Sequence, residues 1–305
     1  MGRRRARGRD VSGILLLDKP PGMTSNAALQ KVKRLFDAKK AGHTGSLDPI
    51  ATGTLPICLG EATKVSGYLL DANKGYQVTI KLGEKTSSAD IEGEVVERRP
   101  VPEISDEHLD EVLETFLGDI QQVPPMHSAL KIDGQPLYKL AHRGIEVERK
   151  SRQVTIYKIE LLAKRYDELE LAVLCSKGTY IRTLAEDVGE MLGCGAHVTV
   201  LRRTKVGEFV LENTITLEQL EALAEKGGCG ALDQYLQPTD SALMGWPGVL
   251  LSDDLVFFLR HGQPVQVPKA PAHGLVALYS KQKQFLGIGH ILDDGRVAPK
   301  RLVNL

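Results

Sequence analysis

Between Glu168 and Leu192 the hydrophobic period of the chain changes. In ELELAVLCSKGTYIRTLAEDVGEML, Leu169, Leu171, Val173 and Cys175 alternate with their neighbours, as in a half-buried strand. After Gly178, Ile181, Leu184, Val188 and Leu192 recur at helical spacing. The segment therefore reads as strand, turn and helix, and it places α and β structure side by side in one chain. With 305 residues, 42% of them apolar, there is material for one large domain and a small one. General disorder is excluded.

The same patterns recur elsewhere. Gly13–Leu17 (GILLL) is a short buried strand closed by the turn Asp18-Lys19-Pro20-Pro21-Gly22. Thr24 or Ser25 then caps a helix whose apolar stripe is Leu29, Val32, Leu35 and Phe36, with Lys31, Lys33, Arg34, Lys39 and Lys40 over and beyond its other surface. YQVTIKLG, from Tyr76, alternates as a strand. Leu109, Val112, Leu113, Phe116 and Leu117 predict a helix ended by Gly118, and Thr216 to Gln219 form a capping-box pattern before one more. GGCGALDQ after that helix reads as a connection. From Val249 onward short strand-like runs (GLVALYS, FLGIGHIL) predict a small β-rich domain, so the expected division is a basic tail at 1–10, a main domain at 11–247 and a C-terminal domain at 248–305.

Charge is balanced overall, 39 basic against 39 acidic residues, yet unevenly spread. Residues 1–50 hold eleven Lys/Arg against four Asp/Glu, whereas residues 90–119 hold two against eleven. Such a basic face can bind a polyanion despite zero net charge, because phosphate contacts are local; a solvated tail beside an unrelated acidic helix is the plainer alternative. No apolar run reaches the roughly 20 residues that span a bilayer, and MGRRRARGRD is not followed by a secretory apolar segment, so a cytoplasmic protein without membrane contact is expected. The four cysteines lie far apart and form no C-x-x-C pair, which predicts reduced, mostly buried thiols.

The densest candidate for chemistry is Gly42–Gly53, GHTGSLDPIATG. It lacks the Gly-Lys-Ser/Thr end of a P-loop and the G-x-G-x-x-G dinucleotide spacing. His43 and Asp48 have no third ligand nearby, and Ser46 is not in a G-x-S-x-G elbow. Asp48 remains as a lone carboxylate before Pro49, for which an Asx-turn or helix cap is the ordinary role.

DKPPGMTS (Asp18 to Ser25), AGHTGSLDPIATGTLPICLGEATK (Ala41 to Lys64), Lys74-Gly75-Tyr76, CSKGTYIRTL (Cys175 to Leu184), GCGAHVTVLRR (Gly193 to Arg203) and GRVAPKRLV (Gly295 to Val303) stand in an order that resembles the bacterial tRNA pseudouridine synthase B family almost end to end. The resemblance implies an α+β catalytic domain on a mixed, mainly antiparallel sheet, with an inserted RNA-gripping segment and a C-terminal domain of PUA type. It implies isomerisation of uridine 55 in the T arm of tRNA, without cofactor, metal or obligatory protein partner. Asp48 matches the family's catalytic aspartate, Arg182 the arginine that pairs with it, and Tyr76 the tyrosine that stacks on the uracil and is a candidate base for its C5 proton. His43 matches the residue filling the space of the flipped base, and Tyr180 and Leu201 match pocket-lining residues. Lys64 is a candidate phosphate contact, while Lys19 and Pro20 are expected to brace the catalytic loop. By pattern alone Arg182 is a surface helix arginine and Tyr76 a core tyrosine. An isomerisation adds nothing to its substrate, so one reversible nucleophile suffices, and a second carboxylate would risk activating water. A noncatalytic tRNA-binding protein on the same scaffold, or a metal-dependent hydrolase using His43 and Asp48, are the alternatives.

Overall fold

The computed structural model describes residues 8–304 apart from Ala129, Asp133 and His142. The expected arginine tail falls mainly on residues 1–7, which lie outside the described residues. Two compact units are present. One takes the chain up to Asp48, Thr54–Asp71 and Glu208 onward; the other takes Pro49–Gly53 and Ala72–Gly207.

The second unit is built on an antiparallel sheet in the order Ala196–Val206, Lys74–Leu82, Glu168–Cys175, Arg152–Lys164, Gly118–Gln122. A parallel join is made where Thr52 and Gly53 pair with Arg202 and Arg203, so the sheet is mixed but mainly antiparallel. Val78, Ile80 and Leu82 bury one face of the Tyr76 strand, as alternation requires. The helix Ile181–Met191 packs against the Ala196–Val206 strand. Gly189 permits that approach: a Cβ there would lie 2.4 Å from the backbone nitrogen of Ala196.

One expectation for this unit is corrected. The acidic helix spans Asp106–Glu114, capped by Ser105, and stops before Leu117, which is 44% exposed. Gly118, with φ of +81°, turns the chain into the next strand instead of merely ending the helix. The Arg152–Lys164 strand has no clean alternation because irregularities between Ile156 and Lys158, and between Leu161 and Ala163, reset which side chains face inward.

In the first unit the strand Gly13–Lys19 pairs parallel to Ile215–Thr216 and antiparallel to Leu236–Gln237. Thr24 caps the helix Ser25–Leu35 by accepting from the Ala27 amide, and Leu29, Val32 and Phe36 are buried. The full capping box of Thr216 and Gln219 opens the helix Leu217–Gly227. GGCGALDQ is not a plain connection: Cys229–Tyr235 winds into a 3-10 helix that buries Leu232. Arg9, within the expected tail, pairs with Asp233 at 2.5 Å. Cys58, Cys175 and Cys194 are buried free thiols, and Cys229 is partly exposed.

The C-terminal strands form their own sheet, with Gly248–Leu251 parallel to Leu275–Ser280, followed antiparallel by Phe285–Ile291 and Val297–Leu302. Val249, Leu251, Val276, Leu278 and Val297 make its core. A helix, Asp253–Arg260, joins that core through Leu259 and was not expected from a β pattern. Its apolar residues are consecutive, so they show no face, and Phe257 and Phe258 stay outside.

Candidate active site

The loop carrying Asp48 is held by the elements before and after it. Lys19 is fully buried, and its ammonium donates to the carbonyls of Pro20 (2.9 Å) and Met23 (2.6 Å). That fixes the turn leading to the Thr24 cap; Pro20 lies half-buried within it. The next residue, Ser25, clamps the loop: its hydroxyl accepts from the Leu47 amide at 2.7 Å and donates to the Leu47 carbonyl at 3.1 Å. On the other side Ala41–His43 pairs with the outgoing strand, His43 opposite Ile57, and the Thr44 amide donates to the Pro56 carbonyl at 3.2 Å. Gly45, with φ of +107°, makes the reversal between them. Asp48 follows the clamped residue directly and is half-buried.

Lys64 lies elsewhere in this unit. Its ammonium pairs with Glu61 at 2.6 Å and donates to the Leu302 carbonyl at 2.8 Å, while Glu61 accepts from the Asn304 amide. These bonds tie the C-terminal strand to the turn Gly60–Lys64, which gives Lys64 a structural task that its reading as a candidate phosphate contact did not suggest.

In the second unit, Tyr76 stands directly opposite Arg203, and Leu201 opposite Val78. The period-two rule puts these side chains on one face of the sheet. Tyr76 and Tyr180 are half-buried, and Leu201 is buried. Tyr180 begins the Arg182 helix, with its amide donating to Gln122 Oε1 (3.0 Å) and its carbonyl accepting from Gln122 Nε2 (3.3 Å).

Arg182 is not the surface arginine that its helical position suggests: it is 4% exposed. Its guanidinium donates to the carbonyls of Ser88 (2.8 Å) and His127 (2.7 Å) and pairs with the Asp90 carboxylate at 3.2 Å. Asp90 is itself oriented by the Glu92 amide and the Ser88 hydroxyl. Between Ser88 and Asp90, Ala89 has φ of +60°, a conformation that costs a residue with a Cβ about 1–3 kcal/mol. A cavity of about 530 Å³ adjoins this cluster, lined by Ser88, Ala89, His127, Thr183, Glu186 and Asp187. Burial raises both the Glu186 and the Asp187 carboxyls above their ordinary range.

Asp90, Gln122 and Arg203 were not singled out in the sequence, and Ser25 only as a possible helix cap. Asp90 belongs to the acidic stretch, where any one carboxylate looks solvated, and Ser25 passes for a helix cap. Among the described residues no three His, Cys, Asp or Glu side chains gather where they could hold a metal ion, and no helix is long and apolar enough to cross a membrane.

Solved structures share this architecture. A chain from an H/ACA RNP bound to a substrate RNA containing 2′-deoxyuridine matches with a TM-score of 0.74 at 25% identity, covering 96% of this chain and 85% of that one. A chain of a Cbf5-Nop10-Gar1 complex matches at 0.71 and 27% identity, covering 96% and 83%. Family models match in series: TruB family pseudouridylate synthase (N terminal domain) at residues 33–181, tRNA pseudouridylate synthase B C-terminal domain at 182–244, and Pseudouridine synthase II TruB, C-terminal, at 247–303. The tRNA pseudouridine synthase B of Stutzerimonas stutzeri (strain A1501) is 59% identical over 97% of this chain and 96% of its own length, and that of Ectopseudomonas mendocina (strain ymp) 58% over the same shares. The chain belongs to the TruB family of tRNA pseudouridine synthases. It is an isomerase acting on tRNA, with an α+β fold and a PUA-like β-rich C-terminal part.

Proposed function

We propose that the enzyme converts uridine 55 in the T arm of tRNA to pseudouridine, with residues 11–247 as catalytic domain and 248–305 as a PUA-type domain. A uridine in a folded loop must leave its stack, at a cost of a few kcal/mol, before its base can be reached. His43 fills the space it vacates, Tyr76 stacks on the flipped uracil, and Tyr180 and Leu201 line the pocket. Asp48 acts as the nucleophile while the bond from ribose C1′ to N1 breaks. The uracil turns, C5 bonds to C1′, Tyr76 accepts the C5 proton and N1 gains one, so the atoms balance without water or cofactor. Arg182 supplies the fixed cation that keeps a desolvated carboxylate ionised; guanidinium suits the task because it stays charged when buried.

The observation that carries this proposal is the burial of Arg182. A helix would place an arginine with no internal role in water, yet here the side chain is enclosed and met by Ser88, Asp90 and His127. The clamp of Ser25 on Leu47 supports it from the loop side, since a catalytic carboxylate must be held by a rigid neighbour. The test is Asp48→Asn assayed on T-arm RNA with mass-spectrometric detection of pseudouridine. Product formation is expected to vanish; an unchanged rate overturns the assignment. Activity is expected to survive chelator, and T-arm affinity to fall steeply as salt rises.

A further inference from the structure

Arg203 is among the largest fully buried side chains of the described residues, at 1% exposure. A guanidinium taken out of water is tolerated only where partners meet it. Its backbone is fixed from both sides, antiparallel to Tyr76 and parallel to Gly53. The second contact is so close that a Cβ on Gly53, whose φ is +100°, would lie 2.2 Å from the Arg203 carbonyl oxygen. A strand gripped in this way has no freedom of register. Directly opposed residues on antiparallel strands project to the same face, so the Arg203 side chain is delivered alongside the Tyr76 ring.

Burial lowers the guanidinium pKa, and the charge and hydrogen bond of Tyr76 push it back up. The coupling is mutual: a cation stabilised by a phenolate oxygen stabilises that phenolate equally. We propose that Arg203 is a positioning residue for the isomerisation, donating from its guanidinium to the Tyr76 oxygen so that the ring is held in place and its oxygen is favoured as proton acceptor. This rests on the assignment of Tyr76 to the active site. The same residue links Tyr76 to the Pro49–Gly53 end of the catalytic loop, because Gly53 and Tyr76 pair with the two edges of one residue.

Other charged or titratable groups surround Tyr76. Lys74 lies two residues earlier on the same strand, with its ammonium on the Ala72 carbonyl at 2.5 Å. Cys175 is on the adjacent strand, its thiol pushed up to about 11 by burial. Lys205 is on the Arg203 strand, and Arg182 on the helix that packs against the Tyr76 strand. Arg203 is distinguished among them by standing in register with Tyr76.

The test uses full-length protein carrying 13C at tyrosine Cζ, with Tyr76→Phe to assign the resonance, and compares wild type with Arg203→Lys and Arg203→Met. Tyr76 is expected to titrate highest in Arg203→Met and lowest in wild type, with Arg203→Lys between, because lysine keeps the charge but not the fork. Single-turnover pseudouridine formation is expected to fall about tenfold in Arg203→Met for each unit by which Tyr76 rises, with RNA affinity within threefold of wild type. Should the Met variant fail to fold, a folded Arg203→Lys decides the matter. An unchanged Tyr76 titration in either folded variant overturns the proposal. A shifted titration with undiminished turnover overturns the role of Tyr76 as proton acceptor, and the catalytic use of the contact with it, while leaving the Asp48 assignment to its own test.

Discussion

Replacing Arg182 by Met tests separately the structural task of this residue and the catalytic one proposed for it. In the folded chain the Arg182 and Asp90 side chains are 5% and 4% exposed and approach to 3.2 Å. Removing the guanidinium leaves the Asp90 carboxylate without its cation, and the Ser88 and His127 carbonyls without their charged donor. Loss of one partner from a buried pair costs about 3–5 kcal/mol, most of it from the charge left behind. Against a typical domain stability of about 5–15 kcal/mol, the variant should be folded but visibly weakened. Adding Asp90→Asn removes the stranded charge while keeping an oxygen for the Glu92 amide, and should return at least about 2 kcal/mol. Urea unfolding followed by circular dichroism gives the stability, and single-turnover pseudouridine formation on T-arm RNA gives the chemistry. Turnover should be lost in both variants, with RNA affinity within tenfold of wild type. An Arg182→Met protein within about 0.5 kcal/mol of wild type would refute the burial argument. Turnover regained in the double variant would reduce Arg182 to a structural residue.

Ser25→Ala removes both bonds to Leu47 and leaves its buried amide unpaired, for an expected loss of about 1–3 kcal/mol; kcat should fall with KM little changed, and an unaffected kcat would mean the clamp does not position Asp48. Gly53→Ala combines a φ of +100° with a clash at 2.2 Å, so the melting temperature should drop by several degrees, for about 2 kcal/mol or more; a wild-type melting curve would contradict the close approach. Glu190, bonded by Arg99 and Lys85, has its carboxyl lowered from 4.5 to about 2. A depressed carboxyl stabilises the fold fully above its unfolded value and loses that contribution as pH falls from about 4.5 towards 2. The side chain is 39% exposed, which limits the effect to about 1 kcal/mol or less. The stability difference between wild type and Glu190→Gln should therefore shrink across that window, and a pH-independent difference would show that the ion pairs are not its source.

Much of the fold was legible because local physics dominates there. The period change after Gly178 predicted the strand and helix found at Glu168–Cys175 and Ile181–Met191. Thr24 and Thr216 cap their helices because a hydroxyl one residue before the first turn meets an unsatisfied amide whatever surrounds it. The long Arg152–Lys164 strand escaped because its irregularities hide the alternation, and the helix Asp253–Arg260 because its apolar run has no period.

The site divides along the same line. Sequence alone, through ordered motifs, pointed to the family and nominated the residues proposed for the chemistry, from His43 and Asp48 to Tyr76 and Arg182. Only the tertiary structure decided what each of them leans on. Arg182 meets the backbone of Ser88 and His127 and the carboxylate of Asp90 through folding that spans dozens of residues, and Arg203 meets Tyr76 only because two strands share a register. Helix and strand periodicity report on neighbours a few positions apart. A buried cation is a property of the space around it, and that space exists only once distant segments have closed over it.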